Sequence, residues 1–165
     1  MCLAALSMMP AVAGVARAPA QQPAAADEWR TFSGTWSARG DRRTLPAEDG
    51  RDASIVHLSG SVVLTGDAGW RGFLGEAIGY YDGRAVSVGR AVWTDERGDR
   101  VFSELKGESL ATGRRVVGSI TGGTGRYAGI VGDYEFVWQY VAEDGLDVQG
   151  RAIDLKGKFR RDPRQ

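Results

Sequence analysis

The chain has 165 residues, and its 21 Lys and Arg residues balance its 21 Asp and Glu residues, so its formal net charge is zero. This length is typical of one domain with a substantial hydrophobic core. The neutral balance gives no electrostatic argument for nucleic acid or an acidic membrane surface as a partner. The 24 glycines have no collagen-like period, and they favour the turns and bulges of an all-β protein.

The first 26 residues have the pattern of an export signal. An apolar run over residues 2–16 is too short to span a bilayer, and small-residue sites of the A-x-A type follow it at 18–20 and 24–26. We therefore predict a signal peptide and flexible lead-in over residues 1–26, and an exported location, periplasmic or extracellular. A disordered Ala/Pro-rich tail is the alternative. The mature protein is expected to have no transmembrane span.

The rare metal-binding and nucleophilic residue types limit the possible chemistry. The only cysteine, Cys2, lies in the predicted signal, so the mature domain is expected to have no disulfide and no thiolate. His57 is the only histidine, which excludes a multi-histidine zinc site, and no G-x-S-x-G motif accompanies it. We predict no metal and no cofactor, and we regard a hydrolase, a metalloenzyme or a nucleotide-dependent enzyme as disfavoured.

From Glu28 onward the chain predicts strand after strand, separated by turn residues such as Asp82-Gly83. No window has an apolar stripe with the period and length of a helix. The predicted strands are 29–38, 53–64, 70–80, 84–94, 100–106, 113–121, 134–140 and 146–160. The acidic turn at Asp95, Glu96 and Asp99 does not match a calcium loop and is expected to be solvated.

About eight antiparallel strands joined by short hairpins predict a single all-β domain over residues 27–165, a closed up-and-down β-barrel. Closure removes the exposed sheet edges, and a two-sheet sandwich is the alternative. In the last strand Val148 and Ala152 share one parity, whereas Leu155 and Phe159 share the other. A bulge near residues 150–152 would reconcile these parities and bend the strand as a barrel requires.

Aromatic side chains recur at every second position of the seventh strand, at Tyr134, Phe136, Trp138 and Tyr140. This alternation has the period of a strand with one aromatic face. We predict that these four residues, with Trp93, form the wall of a pocket for a small apolar molecule, because an eight-stranded barrel can hold one small ligand. Packing of the same rings in a filled core is the alternative. The opposite face of this strand is half apolar, which is compatible with a homo-oligomer contact.

The run GSITGGTGRYAGIVGDYEF, residues 118–136, resembles the glycine-rich corner of the allene oxide cyclase and dirigent-like barrels. In that group the pattern G-G-T-G-[RK]-[FY]-A-G-x-x-G precedes a strand, and residues 122–129 and Gly132 match it. Residues 92–107 and 150–161 are also similar to small exported bacterial members. The resemblance implies a barrel whose pocket holds small apolar molecules, in a group where several members assist cyclisation or coupling. It is carried by a structural motif, so no catalytic residue is transferred.

Two carboxylates are the candidates for catalysis. Glu76 and Glu104 lie mid-strand between apolar neighbours. In a low-dielectric lumen the pKa of such a carboxyl group would be raised, and the group could act as a general acid or base. The alternative is that both face water or pair with arginines. The sequence thus leaves three hypotheses: a binding protein for a small hydrophobic molecule, a cyclase or isomerase acting on a flexible apolar substrate, and a non-catalytic envelope scaffold.

Overall fold

The computed structural model describes residues 28–46, 50–67, 69–83, 87–108 and 113–162, so the predicted signal peptide lies outside the described residues. The described part forms eight strands and one short 3₁₀ turn, Gly125–Tyr127, and it contains no helix with the length and apolarity needed to cross a bilayer. The strands are β1 (Arg30–Pro46), β2 (Asp52–Gly66), β3 (Arg71–Tyr81), β4 (Ser87–Thr94), β5 (Arg100–Gly107), β6 (Arg114–Gly123), β7 (Ile130–Asp144) and β8 (Asp147–Arg161).

The eight strands form one closed barrel. Each strand pairs antiparallel with the next, and β8 pairs with β1, where Phe32 lies opposite Gly157 and Trp36 opposite Ala152. Every strand therefore has a partner along both edges, which satisfies the backbone polar groups without an exposed sheet edge. This arrangement confirms the predicted up-and-down barrel, and it excludes the two-sheet sandwich.

Two strands extend further than their apolar patterns predict. Residues 39–46 of β1 pair with residues 52–59 of β2, although most side chains of that part of β1 are exposed. Strand β7 begins at Ile130 rather than Tyr134, because Gly132 already pairs with both β6 and β8. Backbone pairing between neighbours continues beyond the packed lumen, so apolar periodicity alone ends these strands too early.

The connections divide the barrel into two ends. We call the end that holds the β2–β3, β4–β5 and β6–β7 connections the corner end, and the other the opposite end. Buried side chains alternate with exposed ones along the strands, and the buried set fills the middle of the lumen. At its centre the ring centroids of Trp36 and Trp138 are 5.1 Å apart, and those of Trp93 and Tyr134 are 4.8 Å apart.

Inward-facing glycines make room for these rings. A Cβ on Gly118 would lie 2.1 Å from Cζ of Tyr134, and a Cβ on Gly150 would lie 2.4 Å from Cζ2 of Trp138. Both distances are far below van der Waals contact, so no other residue type fits without displacing a ring. The high glycine content thus has a packing cause in addition to the turns that the sequence predicts.

The parity change in β8 has its bulge later than predicted. Gly150 and Ala152 keep a regular register with β1, and the β1–β8 register shifts between Ala152 and Leu155, where β8 carries one extra residue. Against β7 a second shift lies between Tyr140 and Ala142, opposite Gly150 and Gln149. Asp154, at the β1–β8 shift, has a φ of 54° and is the non-glycine residue with a positive φ in the described chain. The bulge predicted near residues 150–152 thus begins at Ala152 and lies slightly further along the strand, because Gly150 packs against the Trp138 ring and keeps its inward direction.

Gly118 lies against the Tyr134 ring, so the methyl group of a Gly118→Ala variant would overpack that ring. We expect this substitution to destabilise the barrel by about 1–3 kcal/mol. Urea unfolding followed by circular dichroism measures the change. The matched control is Gly72→Ala, because Gly72 is exposed in β3 and no atom lies within 4 Å of its Cβ position. An equal effect of both substitutions would contradict the role assigned to Gly118.

Candidate functional site

A cavity of about 410 Å³ opens at the corner end of the barrel. This volume falls within the range of small-molecule sites in proteins. The side chains that form its walls are mainly aromatic and aliphatic, and they come from strands all around the barrel. They include Phe32, Leu64, Phe73, Trp93, Ile120 and Phe159.

The aromatic centre of the barrel forms the floor of this cavity. Trp93 contacts Phe32, with ring planes at 87° and centroids 6.3 Å apart, and it also contacts Phe73 at 6.0 Å. Tyr134 lies directly behind Trp93 and is only 2% exposed. Burial raises the pKa of the Tyr134 phenol well above its usual range, so this group stays neutral. The cavity therefore ends on an uncharged aromatic layer.

One wall of the cavity is the glycine-rich corner between β6 and β7, which the β4–β5 turn holds in place. Asp95 accepts hydrogen bonds from the backbone N–H of Arg97 at 2.8 Å and of Asp99 at 3.1 Å, and from Nε of Arg126 at 2.6 Å. Arg126 also donates from Nη2 to Glu96 at 2.7 Å. These bonds position the neighbouring Tyr127, which lines the cavity.

The expectation of a solvated acidic turn is therefore wrong for Asp95, which is buried. Burial by itself would raise the pKa of Asp95, but the N–H group of Arg97 and the side chain of Arg126 lower it below its ordinary value. Burial also raises the pKa of Tyr127, so its phenol remains neutral at the cavity wall. The ion pair between Asp95 and Arg126 holds the glycine-rich corner in place.

Arginines surround the mouth of the cavity. Arg30, Arg71 and Arg161 each lie on the inward-facing parity of their strands, one step beyond Phe32, Phe73 and Phe159 respectively. Glu28 is the one carboxylate among the described residues that line the cavity. The site thus combines an apolar interior with a cationic rim.

The predicted aromatic wall is divided between the two ends. Trp93 lines the large cavity, and Tyr134 lies in the layer behind it. Phe136, Trp138 and Tyr140 instead line a cavity of only about 60 Å³ toward the opposite end. That space holds a few water molecules at most and is too small for an organic ligand. Tyr134, Phe136 and Trp138 are therefore buried in packed core, and of the predicted wall Trp93 is the residue that lines the corner-end cavity.

The two candidate catalytic carboxylates lie on the outer surface. Glu76 is exposed on β3, where its inward-facing neighbours are Gly75 and Ala77. Glu104 forms an ion pair with Arg90 across β4 and β5, at 2.5 Å between Oε1 and Nη1. Neither side chain faces the lumen, so neither can transfer a proton to a molecule bound there.

The sequence reasoning missed the phenylalanines of the cavity and the arginines of its rim. A signal for them exists, because the order Arg-x-Phe begins β1 and β3 and the order Phe-x-Arg ends β8. Residues two apart on a strand share a face, so an inward phenylalanine implies an inward arginine beside it. Reading this signal requires knowing that these three strand ends meet at one end of a barrel.

A second apolar surface lies outside the barrel. Ile55, Ile78, Tyr80 and Val88 are exposed on β2, β3 and β4, and Tyr80 lies opposite both Ile55 and Val88 in the strand register. The sequence had suggested the outer face of β7 for an oligomer contact, where Val141 is also exposed. The exposed apolar side chains are more concentrated on β2–β4.

Comparison with known proteins adds a weak likeness to one solved structure. No protein-family model matches the chain, and no curated protein matches its sequence. Among solved structures the chain is similar to a pyocyanin demethylase, with 14% sequence identity and a TM-score of 0.43, over 81% of this chain and 98% of the other. A likeness at this level carries no argument about function.

The bonds that Asp95 forms in the corner predict that part of the stability of the fold is lost in acid. Because the pKa of Asp95 is lowered in the folded state, its ionised carboxylate stabilises the fold above the ordinary pKa of 3.8. This stabilisation is lost as the pH falls through the lower pKa of the folded state. Asp95→Asn should lower the melting temperature at pH 7 by several degrees, and it should reduce the further loss between pH 5 and pH 3. Circular dichroism melts at these pH values measure both effects.

The control for this comparison is Asp133→Asn, which removes an exposed carboxylate 3.9 Å from Lys158. Exposed pairs contribute little to stability, so this variant should melt within about a degree of the wild type. Identical pH profiles for Asp95→Asn and the wild type would contradict the role of Asp95.

Proposed function

We propose that this protein is an exported β-barrel that binds a small, largely apolar molecule in the cavity at the corner end. The observation that carries the proposal is the cavity of about 410 Å³ with aromatic walls and an uncharged aromatic floor. A packed barrel centre that stops short of one end leaves apolar surface with no partner inside the protein. Such surface gains free energy when an apolar ligand covers it.

The expected affinity follows from the apolar surface that a ligand can cover. Removal of about 400 Å² of apolar surface from water, counted on both partners, contributes roughly 10 kcal/mol. The loss of translational and rotational freedom costs at least about 4 kcal/mol. The difference corresponds to a dissociation constant on the order of 10–100 µM. Polar contacts at the rim would strengthen binding further.

The cyclase or isomerase alternative is not favoured by the site. Both of its candidate acid–base groups, Glu76 and Glu104, lie on the outer surface. The carboxylate that lines the cavity, Glu28, is exposed at the mouth, where water has access. A buried carboxylate is therefore missing from the described cavity walls, and binding without proton transfer accounts for their composition.

Membership of the allene oxide cyclase and dirigent-like barrel group is part of the same proposal. Its support is the position-by-position match of residues 122–132 to the corner pattern of that group. In this chain those residues carry Arg126 and Tyr127, which form one wall of the cavity. Export is likewise proposed from the apolar run and the A-x-A sites of residues 1–26.

Binding of the uncharged fluorescent probe N-phenyl-1-naphthylamine tests the proposed cavity. Its emission should rise on titration with the protein, and Ile120→Phe should weaken binding about tenfold, because the larger ring occupies the cavity that Ile120 lines. Val117→Phe is the matched control, since Val117 lies on the same strand but points to the outside. Absence of probe binding to the wild type, or equal weakening by both variants, would refute the proposal.

The mass of the mature protein tests the proposed export. Protein recovered from the envelope or medium of its own host should begin at Gln21 or Asp27, after one of the two A-x-A sites. Intact-mass spectrometry of the cytoplasmic and exported fractions distinguishes the processed chain from the full chain. Recovery of uncleaved protein in the cytoplasm alone would remove the signal-peptide prediction.

A further inference from the structure

We infer that the ligand is an aromatic anion, a planar molecule of about two rings that carries a carboxylate or similar acidic group. This inference rests on the proposed binding function, because it concerns the same cavity. The observation behind it is a repeated arrangement at the corner end. On β1, β3 and β8, an inward arginine lies two residues from an inward phenylalanine, on the side of the cavity mouth. All of these side chains line the cavity: Arg30 with Phe32, Arg71 with Phe73, and Arg161 with Phe159.

The positive charge of this rim exceeds the negative charge beside it, since Glu28 is the one carboxylate among the described residues that line the cavity. Arg126, at the corner, is engaged by Asp95 and Glu96. Neither Arg30 nor Arg71 forms an ion pair with a carboxylate among the described residues, and Arg161 donates only to the backbone carbonyl of Arg126. Several guanidinium groups around one mouth repel one another, and an anion bound between them relieves that repulsion.

The guanidinium group specifies the kind of anion. Its planar set of donors matches two oxygens of a carboxylate, sulfonate or phosphate, and such charge-assisted pairs are the stronger hydrogen bonds of proteins. Arginine also stacks on aromatic faces, so a ring that carries the acidic group can lie against the same guanidinium that binds its charge. A neutral ligand could stack on these guanidinium groups but would leave their ion-pairing donors unused.

The depth and lining of the cavity specify the body of the ligand. From the rim residue Arg30 to Gly34, which lies two residues deeper along β1 than the wall residue Phe32, the strand runs four residues, or about 13 Å. With a strand tilt of about 36–45°, the depth along the barrel axis is about 10 Å. This depth suits two fused or linked rings and is short for a long acyl chain. Phe32, Phe73 and Trp93 already meet edge-to-face or tilted, the contacts that a further ring can extend.

A matched pair of probes tests this inference: 1-naphthoate, an aromatic carboxylate, and 1-naphthamide, its uncharged counterpart. Isothermal titration calorimetry with the purified protein should show naphthoate binding at least about tenfold more tightly than naphthamide. Arg71→Gln and Arg30→Gln should each weaken naphthoate binding about three- to tenfold, and the double variant by more than tenfold. Naphthamide binding should change less than twofold. Raising the salt concentration should weaken naphthoate binding alone.

Arg97→Gln is the control, because Arg97 lies in the β4–β5 turn at the same end and does not line the cavity. It removes the same charge and should leave naphthoate affinity unchanged. Equal affinity for the two probes, or equal weakening of naphthoate binding by Arg71→Gln and Arg97→Gln, would overturn the inference while leaving the proposed function standing. Failure of both probes and of N-phenyl-1-naphthylamine to bind would instead overturn the proposed function. Thermal melts confirm that the exposed-rim variants remain folded.

Discussion

The fit of inward aromatic rings to inward glycines determines where this barrel is solid and where it is hollow. Gly118 and Gly150 leave space that Tyr134 and Trp138 fill, and a Cβ at either glycine would collide with the facing ring. Bulky rings can therefore lie side by side across a lumen that eight strands keep narrow. The resulting aromatic layer separates the large cavity at the corner end from the small space at the opposite end.

At the corner end, polar bonds hold the glycine-rich corner between β6 and β7 in place. Asp95 is buried, and it binds the Arg126 side chain and the backbone of its own turn. These bonds place Tyr127 against the wall, at 5.7 Å from the Phe73 ring, and leave the mouth between β1, β3 and β8 accessible. A satisfied buried carboxylate of this kind fixes geometry, since leaving it unpaired would be costly.

The distribution of charge separates the two functional hypotheses more clearly than the shape does. Acidic groups that could perform proton transfer lie outside the barrel or at its mouth, whereas the cavity wall is apolar and its rim cationic. A site of this composition favours recognition of a shape and a charge. Proton transfer inside the cavity would use a titratable group in the low-dielectric interior, and the phenol among the described cavity-lining residues is that of Tyr127, whose pKa burial raises.

The sequence by itself determined the strand content and the order of hairpins, because alternation of side chains and turn residues are local properties. It favoured a closed barrel over a two-sheet sandwich, and only the pairing of β8 with β1 decided between them. The sequence also indicated that Trp93, Tyr134, Phe136 and Trp138 are buried. Only the tertiary structure decided their depth along the axis, and therefore which of them reach the cavity. Both parities of β3 are apolar, so periodicity could not show that Glu76 points outward. Depth and direction depend on register between strands, including the shift at Asp154, and no single strand contains that information.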